Sequence, residues 1–214
     1  MSFQPRLKSP EAIEAESFRI IEEEMGPHSF SPGEFNIARR VIHATADFEF
    51  ARTLVFHPEA IARGIAAIRK GGDLVVDVAM IQAGVSKPAL ASFGGKVQSF
   101  ITDEDVIAEA KREGITRAIA SMRKAARLAP QAILAIGNAP TALFEALNLI
   151  EAGKMAPALV VGVPVGFVSA VESKDALIAS GYPHIAAKGR KGGTPVAVSI
   201  LNALLNLAKL PDGR

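Results

Sequence analysis

The sequence contains no cysteine and no tryptophan, and tyrosine occurs once. Without cysteine the chain forms no disulfide, has no thiolate nucleophile and offers no thiolate to a metal, so its stability must come from a buried core. The absence fits a reducing compartment, and the cytoplasm is the expected location. An excess of one charge is also missing: 24 Lys and Arg stand against 22 Asp and Glu, leaving a mild net +2 along the whole chain. No nucleic-acid footprint is visible, and no nucleic-acid partner is expected. Long apolar runs are lacking as well. Met1 to Phe18 has no apolar stretch of signal type. The longest uncharged run, Met155 to Val171, falls short of the roughly 20 residues that cross a bilayer and contains Pro157 and Pro164. It reads as a buried strand and loop, and no membrane partner is expected.

What is present is ample core material: 49% of the residues are hydrophobic and 21% charged. Residues 1–214 are expected to form a single domain, with aliphatic side chains suited to helices packed on a parallel sheet. Ser9-Pro10 signals a helix start and Gly26 its end, with Ile13, Ile20 and Ile21 as an apolar stripe. Ser31-Pro32-Gly33-Glu34 is a capping box opening a second helix that runs toward His43. Asp47 to Phe56 is ambiguous between strand and loop, and His57-Pro58 starts a helix that ends at Gly71-Gly72.

Short β-rich runs then occur at Leu74 to Met80, Val97 to Ile101, Ile133 to Ile136, Leu159 to Val163 and His184 to Ala187. Helical patterns lie at Ser86 to Ser92, Asp103 to Leu128 with a break at Gly114, Pro140 to Ala152, Ser169 to Ser180 and Thr194 to Ala208. This alternation predicts an α/β fold, a doubly wound, mainly parallel sheet of about five strands with helices on both faces. Ligands are expected beyond the carboxyl ends of the strands. The final helix is apolar nearly all round, which puts it in the core or in a subunit interface, and a homodimer is expected.

His43 has the most suggestive setting of the four histidines. On a helix continued to Asp47, Arg40 and His43 are three apart and His43 and Asp47 four apart, so a cation and a carboxylate flank the imidazole. An imidazole titrates near neutrality and suits general acid–base catalysis, although a histidine bonded at a helix end is the commoner use of such spacing. Lys188 to Pro195 runs basic and glycine-rich into a helix, where free N–H groups favour a carboxylate or phosphate. It lacks the Walker spacing. Gly137 to Thr141 and Gly162 to Phe167 follow strands at the same expected edge, and the three turns together predict a cleft. Ser17 interrupts the first helix's apolar stripe and is expected to face inward, either bonding its own helix carbonyl or touching ligand. Asp73 and Asp77 frame a strand and read as structural. No spacing indicates a metal site or an α/β-hydrolase elbow.

Four motifs together resemble the precorrin-8X methylmutase family: Arg40 to Asp47, Gly137 to Leu143, Gly162 to Val168 and Gly189 to Gly193, within a likeness that spans about residues 9–209. The resemblance implies a flavodoxin-like dimer that moves a ring methyl from C-11 to C-12 of precorrin-8X to give hydrogenobyrinate, consuming no cofactor. It also implies that His43 is the proton donor or acceptor and that Ser17 and Arg40 contact the substrate. Thr45 in the same motif, and Arg190 and Lys191 facing the substrate's carboxylates, complete the expected contacts. A tetrapyrrole substrate and product are the implied partners, with hand-over to the next pathway enzyme. The motifs do not separate the metal-free substrate, which is the reading adopted, from the cobalt-precorrin-8 of the anaerobic branch. A non-catalytic tetrapyrrole carrier is the rival from another class. A nucleotide or response module is disfavoured by the missing phosphate motif.

Overall fold

The computed structural model describes residues 7–211; residues 1–6 of the amino-terminal stretch considered above, and residues 212–214, lie outside the described residues. α1 (Pro10–Met25) opens at Ser9, whose hydroxyl accepts the Ala12 N–H, and closes at Gly26 with φ 65°. α2 (Pro32–Thr45) begins with the expected capping box, Ser31 accepting from the Glu34 N–H and Glu34 accepting from the Ser31 N–H at 2.8 Å. These bonds satisfy donors that a helix start leaves free. The apolar stripe of α1 is only partly used: Ile21 is buried, whereas Ile13 and Ile20 are exposed. The reason is that α1 packs chiefly against α2 and not on the sheet.

The chain continues through α3 (Phe50–Thr53), β1 (Leu54–Phe56), α4 (Ala60–Arg69), β2 (Leu74–Val76), α5 (Ala79–Gly84), α6 (Lys87–Ala91) and β3 (Val97–Gln98). Then follow α7 (Glu104–Glu113), α8 (Arg117–Leu128), β4 (Ile133–Ile136), α9 (Pro140–Glu151), β5 (Val160–Gly162), α10 (Ala170–Ala179), β6 (His184–Ala187) and α11 (Thr194–Lys209). Gly114 breaks the long helical segment in a left-handed turn at φ 65°, as expected.

The sheet has six strands in the order β1-β6-β5-β4-β2-β3, with β1 antiparallel to β6 and every other pair parallel. This corrects the expectation of about five strands: the ambiguous segment before Phe56 supplies an antiparallel edge strand. Its partner is the last strand of the chain, so no local signal announces it. Side chains alternate between two buried faces. Leu74, Val76, Ile133, Ala135, Val161 and Ile185 meet α2, α4 and α11 on one side. Val75, Leu134, Ile136, Val160 and Ala186 meet α7, α8, α9 and α10 on the other. Burial on both sides explains why these strands are apolar throughout. Of the two placements open to α11, the core is realised: Val196, Ile200, Leu201, Leu204 and Leu205 are buried.

β4 and β6 have the expected bounds, whereas β2, β3 and β5 are shorter than their apolar runs, and Ala79 and Met80 belong to α5. β2 stops at Val76 because Asp77 turns its carboxylate onto the loop after β4, accepting the N–H groups of Gly137 at 3.1 Å, Asn138 at 2.9 Å and Ala139 at 2.8 Å. Asp77 is fully buried; desolvation pushes its carboxyl above the usual range, and the three donors pull against it. Asp73 accepts the Lys96 N–H at 3.0 Å and the Gln98 amide at 2.9 Å. Both aspartates therefore do the structural work expected of them. Among the described residues no helix is long and apolar enough to cross a membrane. Truncating Asp77 leaves three backbone donors without their acceptor. Asp77→Ala should lower the unfolding free energy by about 3 kcal/mol or more, and Asp77→Asn by less, in urea titrations. An unchanged midpoint for Asp77→Ala contradicts this role.

Candidate active site

Five strands run parallel, so the turns that follow β4, β5 and β6 gather at one sheet edge, as expected. They are joined through main-chain atoms. The Gly193 N–H donates to the Val163 carbonyl at 2.8 Å, and the Gly166 N–H donates to the Arg190 carbonyl at 3.1 Å. A Cβ on Gly192 would stand 2.2 Å from the Val163 oxygen, which no other residue tolerates, and one on Gly137 would stand 3.1 Å from the Gly193 oxygen. Because β1 is antiparallel, the segment before it reaches the same edge, where Thr53 accepts the Lys188 N–H at 2.8 Å. Apolar side chains stand out from this edge: Phe167 and Val168 are 83% and 82% exposed, beside half-exposed Val165. They form an exposed apolar patch beside the turns. A recess of about 640 Å³ lies at the opposite edge, lined by Arg63, Lys70, Asp73 and Pro130 among others, and holds none of the candidate residues.

A second group of candidates sits where α1 crosses α2. Phe18 is its centre: Arg39 stacks on the ring at 4.2 Å, Arg40 approaches it at 5.2 Å, and the His43 ring meets it edge-on at 5.4 Å. Arg39 is paired with Glu22, and Arg40 with Glu14 at 3.2 Å. The Ser17 hydroxyl donates to its own helix carbonyl at Ile13, 2.7 Å away, which is the local bonding that competed with ligand contact. His43 is exposed in the last turn of α2. The other histidines are engaged locally, His28 stacked on Phe35 at 4.5 Å, His57 accepting the Glu59 N–H at 3.2 Å, and buried His184 bonded to the Tyr182 carbonyl at 2.7 Å.

Asp47 does not flank His43. α2 ends at Thr45 because Ala46 adopts a left-handed conformation, φ 52°, and the Thr45 hydroxyl closes the turn by donating to Val41 at 2.8 Å and accepting the Asp47 N–H at 3.3 Å. The expected helical spacing is broken there. The Asp47 carboxylate instead takes the Lys191 ammonium at 2.5 Å, with Glu49 on the same ammonium at 2.8 Å. The contact holds the Asp47 carboxyl below the usual carboxylate range and Lys191 above the usual lysine range. This ion pair ties the end of α2, which carries His43, to the loop that carries Arg190. Arg190 itself lies over the Phe167 ring at 5.3 Å.

Two participants escaped the sequence reading. Phe18 was passed over although it neighbours Ser17. Lys174 was passed over because a lysine in a helix ordinarily points to water. It is instead fully buried, and its ammonium donates to the Lys191 carbonyl at 2.8 Å.

The family model described as precorrin-8X methylmutase matches residues 12–207 of this chain. The chain belongs to the precorrin-8X methylmutase family. That is a family of methyl-migrating isomerases of cobalamin biosynthesis, so the protein is an enzyme of the isomerase class inferred from its motifs. The cobalt-precorrin-8 methylmutase of Priestia megaterium is 51% identical over 206 residues, covering 96% of this chain and 92% of that protein. The precorrin-8X methylmutase of Sinorhizobium is 36% identical over 200 residues, covering 92% and 95% of the two chains. The crystal structure of precorrin-8X methylmutase from Thermus thermophilus superposes with a TM-score of 0.85 at 42% identity, over 92% of this chain and 97% of that one.

Lys174 gives the methylmutase a distinctive pH response. Desolvation lowers its pKa from the ordinary 10.5 to about 8, with Asp175 pulling weakly the other way. Between those two values the unfolded chain holds a proton that the folded chain has released, so stability should rise with pH across that window. Urea unfolding near pH 7 and near pH 10 should show a Lys174→Met variant losing this increment relative to wild type. A stability difference between the two proteins that does not change with pH contradicts the assignment.

Proposed function

We propose that this methylmutase catalyses the 1,5-sigmatropic shift of a ring methyl from C-11 to C-12 of precorrin-8X, yielding hydrogenobyrinate in aerobic cobalamin biosynthesis, with His43 donating and then recovering the proton. The supporting observation is the cluster of exposed His43 with half-buried Arg40 and Phe18, bridged by Asp47 and Lys191 to the basic loop at the sheet edge. Protonating the conjugated ring weakens its bond to the migrating methyl. The shift is intramolecular, so binding, orientation and that proton suffice and no cofactor is consumed. Arg40, Arg190 and Lys191 meet the substrate's acetate and propionate groups, exchanging Glu14, Asp47 and Glu49 for them. Ser17, beside Phe18 in the middle of α1, and Thr45, at the end of α2, contribute hydroxyls, and Val165, Phe167 and Val168 supply an apolar floor.

Several broader features belong to the same reading. The five parallel strands, numbered among themselves, follow the order 2-1-3-4-5, which supports a flavodoxin-like, doubly wound ancestry. One sheet shared by both apolar clusters supports a single domain over the chain. Exposed Ile13, Ile20, Phe167 and Val168 support a homodimer, with product handed on to the next enzyme. The cysteine-free sequence supports a cytoplasmic setting.

A second reading has a specific observation behind it: a relative at 51% identity is named for cobalt-precorrin-8, whereas one named for precorrin-8X stands at 36%. On that reading cobalt arrives as part of the substrate and the protein's groups act as described. Visible spectra of each substrate mixed with wild type and with His43→Ala decide between them. Wild type should convert the true substrate. His43→Ala should still bind it but lose about 10²- to 10⁴-fold in rate. Tight binding without conversion by wild type identifies a tetrapyrrole carrier instead.

A further inference from the structure

Lys174 is the largest anomaly in the described residues. Lysine is rarely fully buried without a carboxylate, yet this side chain is 0% exposed and its ammonium donates to a carbonyl. That carbonyl belongs to Lys191, in the loop after β6. Among the described residues every other hydrogen bond of the main chain of residues 188–193 joins two backbone groups: the Lys188 N–H donates to Thr53, the Gly193 N–H to Val163, the Gly166 N–H to Arg190 and the Ala197 N–H to Gly193. Lys174 thus makes the only side-chain bond to that main chain among the described residues. It does so at the residue whose side chain faces Asp47 and Glu49. A leucine or methionine would fill the same volume without a desolvated charge. The structure has kept a cation beneath a loop that already displays Lys188, Arg190 and Lys191.

We propose that Lys174 is a positioning residue of this site: its ammonium fixes the Lys191 carbonyl from beneath and so sets where Arg190 and Lys191 present their charges to an anionic substrate. The proposal rests on the reading that this loop binds substrate carboxylates. It concerns binding, because Lys174 is enclosed and acts through its neighbour.

The test uses the full chain with Lys174→Met, which removes the donor, and Lys174→Gln, which keeps a shorter neutral one. Trypsin cleaves after Lys188, Arg190 and Lys191, so it reports how firmly the loop is held. Lys174→Met should cleave at these sites about tenfold faster than wild type while its far-ultraviolet circular dichroism stays that of wild type. In turnover, KM should rise about tenfold with kcat within about twofold, and Lys174→Gln should fall between. Unaltered loop cleavage together with unaltered KM overturns the proposal. So does a loss confined to kcat, which would make Lys174 part of the chemistry, or unfolding of both variants, which would make it a core residue. If wild type converts neither precorrin-8X nor cobalt-precorrin-8, the functional reading fails, and the cleavage pattern still decides the role of Lys174.

Discussion

Burial of the sheet on both faces is the constraint from which the rest follows. The residues of β2, β4, β5 and β6 are all buried, alternating between two apolar clusters that share no water-facing side. Such a sheet leaves little room on its faces for polar groups, and the imidazole it does hold, His184 of β6, is bonded to the Tyr182 carbonyl. Polar chemistry is expelled to the strand ends, and each central strand is only three or four residues long before it gives way to a turn. The one carboxylate retained inside, Asp77, is spent on three backbone donors of the next turn. The edge inherits its shape from the core.

At that edge the cations are already matched. Arg40 holds Glu14, Lys191 holds Asp47 and Glu49, and Arg190 covers an aromatic ring. Under the proposed function an incoming polycarboxylate would exchange one set of acids for another, and the gain on binding would be a difference between two sets of ion pairs. Exposed pairs contribute little to stability. Their partners can therefore be released at small cost, which suits a site that must accept a large anion and later give it up.

How much of this was legible in the sequence depended on how local each signal is. The capping box at Ser31 and Glu34 and the Gly26 and Gly114 helix ends were readable because the atoms that decide them lie within a few residues, and the central strands because their apolar runs stand between helical patterns. The helix carrying His43 was found, but its end was not. Asp47 is drawn away by Lys191, far along the chain, and nothing in Ala44-Thr45-Ala46 reveals that pull. β1 stayed ambiguous for the same reason, its partner being the final strand. Lys174 was missed because residue type was taken as a guide to exposure, and here a loop carbonyl overrides it. The resemblance drawn from four motifs reached the family correctly, since it rests on order and spacing along the whole chain and not on any single contact.

The turns at the sheet edge are stitched to one another almost entirely through peptide groups, Gly193 to Val163 and Gly166 to Arg190. Peptide groups are the same whatever residue carries them. The contour of the edge is therefore insulated from the identity of its outward side chains, which descent can exchange without re-forming the scaffold. Positions 165, 167 and 168 can change without touching those bonds, while the glycine at 192 is held by the 2.2 Å a Cβ would leave to the Val163 oxygen and that at 193 by its φ of 113°.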